Sequence, residues 1–156
     1  MPKVTPELVN KAYAALASGN AEQINQYWAE NMRWLVPGHN TVSGWYHSRD
    51  EFVAFNEQVG KLSGSSFNME RSVILTNDEY SADVSHNTGS RDGSDGRGEP
   101  IYQKLAIDVV HVLRWRDGKV IEGKGAIFGD GTTRFDQFWS PMGVGNRNKA
   151  DVILPG

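Results

Sequence analysis

The chain has 156 residues, 38% hydrophobic and 22% charged, with a net charge of −3 and no cysteine. That length suits one domain with a substantial core; the weak negative charge leaves no electrostatic footprint for nucleic acid or an anionic membrane, and the missing cysteines exclude disulfides, thiolate metal ligands and cysteine nucleophiles. No stretch reaches the apolar length of a membrane span and the N-terminus lacks a signal-peptide core, so a cytoplasmic protein is expected.

Thr5 before Pro6 and Glu7 caps a first helix with proline at its first position. Leu8, Val9, Ala12, Ala15 and Leu16 recur at helical spacing until Ser18-Gly19-Asn20 stops them. A second helix is expected from about Ala21 to Glu30, burying Ile24, Tyr27 and Trp28. Met32 to Val36 then reads as a strand halted by Pro37-Gly38. The Gly, Ser and Asn-rich loop from His39 to Tyr46 stands where the mouth of a cavity would be. Ser48 caps a third helix, Asp50 to about Leu62, in which Glu51 completes a capping box and Phe52, Val53, Phe55 and Val59 make the apolar side. Strands follow over Phe67–Leu75 and, after a turn at Asn77-Asp78, over Tyr80–Thr88. In the latter, alternation sets Ala82, Val84 and His86 against Asp83, Ser85 and Asn87, and the apolar set is expected inside with His86.

Residues 89–100 are dense in Gly, Asp and Arg and read as an exposed loop, with no strand-to-helix context for phosphate binding. Ile101 to Phe128 then forms a long hairpin around Asp117-Gly118. A two-residue loop would pair Trp115 with Val120 and Leu113 with Glu122, mixing apolar and charged positions on one face. A three-residue loop, Arg116-Asp117-Gly118, pairs His111 with Gly123 and Val109 with Gly125 and separates the faces. It puts Ile107, Val109, His111, Leu113, Trp115, Ile121, Gly123, Gly125 and Ile127 inside, with His111 looking into a cavity beside two glycines. The alternative is a core histidine with its hydrogen bonds satisfied, beside glycines that let the sheet curl. After the hairpin the chain bends and docks Phe135, Phe138 and Trp139 on the sheet, and residues 141–156 form a tail. Helices segregated from a curved mixed or antiparallel sheet give an α+β domain over residues 1–140, a cone with three N-terminal helices on its concave face.

The ordered pieces AYAALASGN, WLVPGHNTVSGWYHSRDEFVAF, NDEYSADV, HVLRWRDGKVIEG and FDQFWS cover nearly the whole chain. In them the chain resembles the NTF2-like superfamily, and within it the SnoaL-like group of polyketide cyclases and ketosteroid isomerases. The resemblance implies a conical fold, a deep pocket in the concave face and a homodimer formed through the outer face of the sheet. It does not imply one activity. Where ketosteroid isomerases carry a tyrosine and two acids, this chain has Ala12, Val36 and His111, with Tyr13 one residue off. The cyclases use a pocket carboxylate, and the expected inward face of the hairpin supplies none.

Histidine titrates near working pH and suits acid–base work. The candidate catalytic residues are His111 and His86, converging in one cavity. Tyr13, Trp28, Trp34, His39, Tyr46, Phe55, Gly123 and Gly125 are the candidate substrate contacts. Two histidines without a carboxylate on their face make a poor zinc site, so neither metal nor cofactor is expected. Asp130, Arg134 and Asp136 form a further cluster, read either as folding over the pocket or as a local surface turn. The expected function is an isomerase, lyase or cyclase acting on a small hydrophobic carbonyl compound. Ligand binding without chemistry, or a dimeric scaffold, is the alternative.

Overall fold

The computed structural model describes residues 3–91 and 104–139. Three helices and two strands come first: α1 (Pro6–Ser18), α2 (Ala21–Tyr27), β1 (Trp28–Val36), β2 (Gly44–Tyr46) and α3 (Arg49–Leu62). Then follow β3 (Asn68–Thr76), β4 (Tyr80–Ser90), β5 (Lys104–Arg116), β6 (Lys119–Ile127) and α4 (Gly131–Trp139). The tail and most of the loop between β4 and β5 lie outside the described residues. No helix among those described is long and apolar enough to cross a membrane.

The helix starts are fixed by side chains. Thr5 Oγ1 accepts from the Leu8 N–H at 3.1 Å, Asn20 Oδ1 from Gln23 at 3.1 Å and Ser48 Oγ from Glu51 at 3.1 Å. Helix α2 is shorter than its periodicity suggests. Trp28 already has extended backbone, and its pairing with Val120 recruits it into β1. Its indole N–H goes to the Ala12 carbonyl at 3.0 Å, locking α1 against the strand. The segment after β6, expected as a bend, is a helix that buries Phe135, Phe138 and Trp139.

The strands form one open, mixed six-stranded sheet in the order β2-β1-β6-β5-β4-β3. Only β1 and β6 run parallel; the remaining pairs are antiparallel. Register shifts interrupt β1–β6, β3–β4 and β5–β6, and such bulges add the local twist that curves a sheet.

The central hairpin corrects both registers considered from sequence. Its turn is the two-residue one, Asp117-Gly118 with φ of 51° and 78°, the primed geometry that suits strand twist. Trp115 therefore faces Val120. An extra residue, Ile121, then shifts the register, so that Arg114 meets Glu122, Leu113 meets Gly123 and His111 meets Gly125. The bulge restores the parity that the turn would have broken. Val120, Gly123 and Gly125 are buried, whereas Ile121, expected inside, is only half-buried.

Strand β4 is turned over relative to expectation. Ser81, Asp83, Ser85 and Asn87 are buried on the concave face, and His86 is exposed on the convex one. Pairing sets this: Asp83 stands opposite His111 and Ser85 opposite Val109, so each shares the face of its β5 partner. The buried polar row is paid in hydrogen bonds, with Ser81 accepting from Trp115 Nε1 at 2.9 Å and Ser85 donating to Asn87 Oδ1 at 2.7 Å.

Candidate functional site

His111 sits at the middle of β5 with its ring on the concave face, buried and flanked by Trp34 and Tyr13 at centroid distances of 5.6 and 6.1 Å. Directly across the ladder, Asp83 places Oδ1 3.0 Å from His111 Nδ1 and accepts the Tyr13 hydroxyl on Oδ2 at 2.8 Å. Tyr13 is delivered from α1, so helix, β4 and β5 each contribute one member of a Tyr–Asp–His chain.

Its electrostatics follow from burial. Asp83 is 0% exposed, and a carboxylate can only accept, so Nδ1 of His111 must carry a proton toward it. That leaves Nε2 as the ring nitrogen for the cavity. Burial first, then the charge and hydrogen bond of Asp83, push the Tyr13 hydroxyl well above its ordinary range, although Arg71 opposes the shift. Tyr13 is therefore a neutral donor at physiological pH.

The cavity lies between α1, α3, α4 and the sheet. Trp34, Phe52, Phe55, Val109 and Trp139 give it apolar walls, and His111, Tyr13 and Asn87 are its polar groups. Its volume is ≈ 70 Å³, room for about five waters at ~10–15 Å³ each. Trp139 is buried in this wall, and among the described residues its Nε1 donor has no partner.

These features have relatives. The SnoaL-like domain model matches residues 9–123. The chain belongs to the SnoaL-like family. Bal32a, from a soil-derived mobile gene cassette, is 25% identical with a TM-score of 0.73, over 85% of this chain and 94% of that one. A cystatin-like protein of unknown function from Xanthomonas campestris is 18% identical, TM-score 0.72, over 86% and 97% of the two chains. An NTF2-like protein from Burkholderia xenovorans is 16% identical, TM-score 0.67, over 83% and 93%. Among curated proteins, none matches the chain in sequence.

Within this SnoaL-like cone the expected site residues divide. Tyr13, Trp34, Phe55, Gly125 and His111 line the cavity. Gly123 does so indirectly: Trp34 lies flat against it, and any Cβ there would collide with the indole. Trp28 is wholly buried behind Trp34 and Phe52 rather than at the cavity. Tyr46 packs at a tilt on Phe55, 4.9 Å between ring centroids, and donates to the Val42 carbonyl, a support one layer out.

His86 is a correction. It points away from His111 and pairs with Asp108 at 2.9 Å on the convex face, because β4 turns its polar side inward. His39 is exposed, and its contribution is a backbone N–H donated to Asp136 Oδ1 at 2.9 Å. Asp136 also accepts from Asn40 at 2.8 Å and fills the space beside Gly38, so it ties the loop after β1 to α4. Neither Asp136 nor Arg134 lines the cavity. Among the described residues no group of three His, Asp or Glu could hold a metal ion.

Sequence reading missed Asp83, Asn87 and Trp139. The signal for Asp83 was its place at mid-strand opposite His111, visible only once the β4–β5 register is known.

Proposed function

We propose that this SnoaL-like protein is a small-molecule enzyme of the isomerase, lyase or cyclase type acting on a hydrophobic carbonyl compound. The observation that carries the reading is the buried Asp83–His111 contact at the wall of an apolar cavity, with Nδ1 engaged by the carboxylate and Nε2 left as the candidate base. A related fold, the ketosteroid isomerase-like protein from Catenulispora acidiphila, is 12% identical with a TM-score of 0.63 and was determined with trimethylamine bound, which supports the cavity as a small-molecule site.

In the proposed reaction His111 Nε2 takes the proton from the carbon next to the carbonyl, and the electron pair moves onto the carbonyl oxygen as an enolate. Asp83 holds the imidazolium that forms and keeps its ring from turning. The enolate oxygen takes hydrogen bonds from donors in the wall, of which Trp139 Nε1 has no partner among the described residues. The imidazolium returns its proton to another carbon of the same system, to a leaving oxygen, or to the oxygen formed in ring closure. No proton is gained or lost overall. A positioned base of this kind contributes on the order of 10²–10⁴-fold.

The test needs no natural substrate. Hydrophobic aryl and cyclic ketones in heavy water exchange the protons next to the carbonyl, and NMR reads the rate. The wild type should accelerate exchange for part of such a panel, and His111→Gln should abolish the acceleration. A ligand that shifts the His111 ring resonances with no exchange would favour binding without turnover instead.

A further inference from the structure

The cavity around His111 has a vestibule. Between α1, α3 and edge strand β3 lies a second space, ≈ 330 Å³, that shares Tyr13, Leu16, Asn56, Val59, Phe67 and Met69 with the first. Six common lining residues make the two spaces one channel, inner chamber and outer mouth, with Tyr13 at the junction.

The charge in this channel is one-sided. Arg71 lines the vestibule and is its single ionised side chain; no Asp or Glu lines either space. Arg71 occupies the concave face of β3 beside Met69, and the register shift after it turns the next residues outward. Its guanidinium lies 4.2 Å over the Tyr13 ring, and its Nε makes one long contact of 3.5 Å with Asn10 Oδ1. Among the described residues no carboxylate pairs with it. The planar group is thus held over the ring at the vestibule wall, and a guanidinium there can bind a carboxylate through two parallel N–H donors.

Resting on the reading of the inner chamber as a ketone site, we propose that Arg71 is a specificity-determining residue and that the substrate is a hydrophobic keto acid. Its carbonyl end enters the chamber at His111 while its carboxylate stays in the vestibule on Arg71. The Tyr13 ring separates the two, at 6.1 Å from the His111 ring and 4.2 Å from Arg71. The acid therefore sits several bonds beyond the carbonyl, as in an ω-aroyl alkanoate. A partly buried arginine gives a charge preference that added salt screens only in part.

The test compares ω-benzoylvalerate with its methyl ester, using the full chain, with affinity from calorimetry and site from the His111 ring resonances. Wild type should bind the acid at least about tenfold more tightly than the ester. Arg71→Gln should bring the two within about twofold by weakening the acid alone, and Arg71→Lys should restore part of the preference, since it keeps charge without the planar fork. Equal binding of acid and ester by the wild type, or an acid preference that survives in Arg71→Gln, overturns the role of Arg71 while leaving the ketone site standing. If neither compound moves the His111 resonances, the ketone site itself fails and this inference with it. Should Arg71→Gln not fold, Arg71→Lys and the acid-to-ester comparison in the wild type still decide.

Discussion

Replacing Asp83 by Asn tests the site at its centre. The amide has the size of the carboxylate, so Tyr13 can keep donating to the remaining oxygen at its 2.8 Å position. The amide nitrogen then faces His111 Nδ1 across 3.0 Å. An NH₂ can only donate, so Nδ1 must become the acceptor and the ring proton must move to Nε2. The base that faced the cavity becomes a donor. By analogy with the wrong-tautomer effect in serine hydrolases, ketone exchange should fall on the order of 10³–10⁴-fold.

Stability should change far less. Trading two hydrogen bonds to a charged group for two neutral ones costs roughly 1–3 kcal/mol, partly offset because a neutral amide is cheaper to bury than a carboxylate. At about 2–4 °C per kcal/mol for a chain of this size, Tm should drop by no more than ~10 °C. The assay is long-range ¹H–¹⁵N NMR of the histidine rings near neutral pH. It should find the His111 proton on Nδ1 in the wild type and on Nε2 in the variant. A wild-type ring protonated at Nε2 would refute the assignment of base and orienting carboxylate.

Other consequences follow from single contacts. Tyr13 is held protonated above its ordinary range, so the folded state binds that proton more tightly than the unfolded chain. The stability it contributes is complete below the unfolded tyrosine value and is lost as pH rises toward the folded one; denaturation midpoints should fall above about pH 10, less steeply in Tyr13→Phe. Gly123→Ala drives a methyl into the Trp34 ring and should cost about 1–3 kcal/mol in chemical denaturation, with a disturbed Trp34 emission; an unchanged midpoint would mean that the ring is free to move. On the convex face, Leu75, Ala82 and Val112 form one cross-strand row and Val73, Val84 and Val110 another, with Leu75 65% exposed. We propose that this face pairs with a second copy of the chain, and light scattering should show a dimer that Leu75→Arg converts to a monomer.

The local elements were largely legible. Thr5 and Ser48 announce helix starts because a cap is a contact between residues three apart, whereas Asn20, read as part of a stop, caps α2. The apolar side of β5 and the place of His111 on it follow from alternation alone, because Ile107, Val109, Leu113 and Trp115 leave one choice of buried face. The family resemblance pointed to the same cone.

What sequence could not decide was parity in strands whose two faces are similarly mixed. Between Ala82, Val84, His86 and Asp83, Ser85, Asn87 hydrophobicity favours the first set, yet the second is buried, because pairing with β5 brings Asp83 to His111 and Tyr13 reaches it from α1. Those partners lie 28 and 70 residues away, so no local pattern records them. The bulge at Ile121 is likewise invisible in a period-two reading, since it is the one residue that breaks the period. The chain by itself determined its first three helices in outline, its central apolar strand and the histidine on it; only the tertiary structure decided the helix after β6 and which carboxylate stands behind that histidine, because strand register is a long-range property.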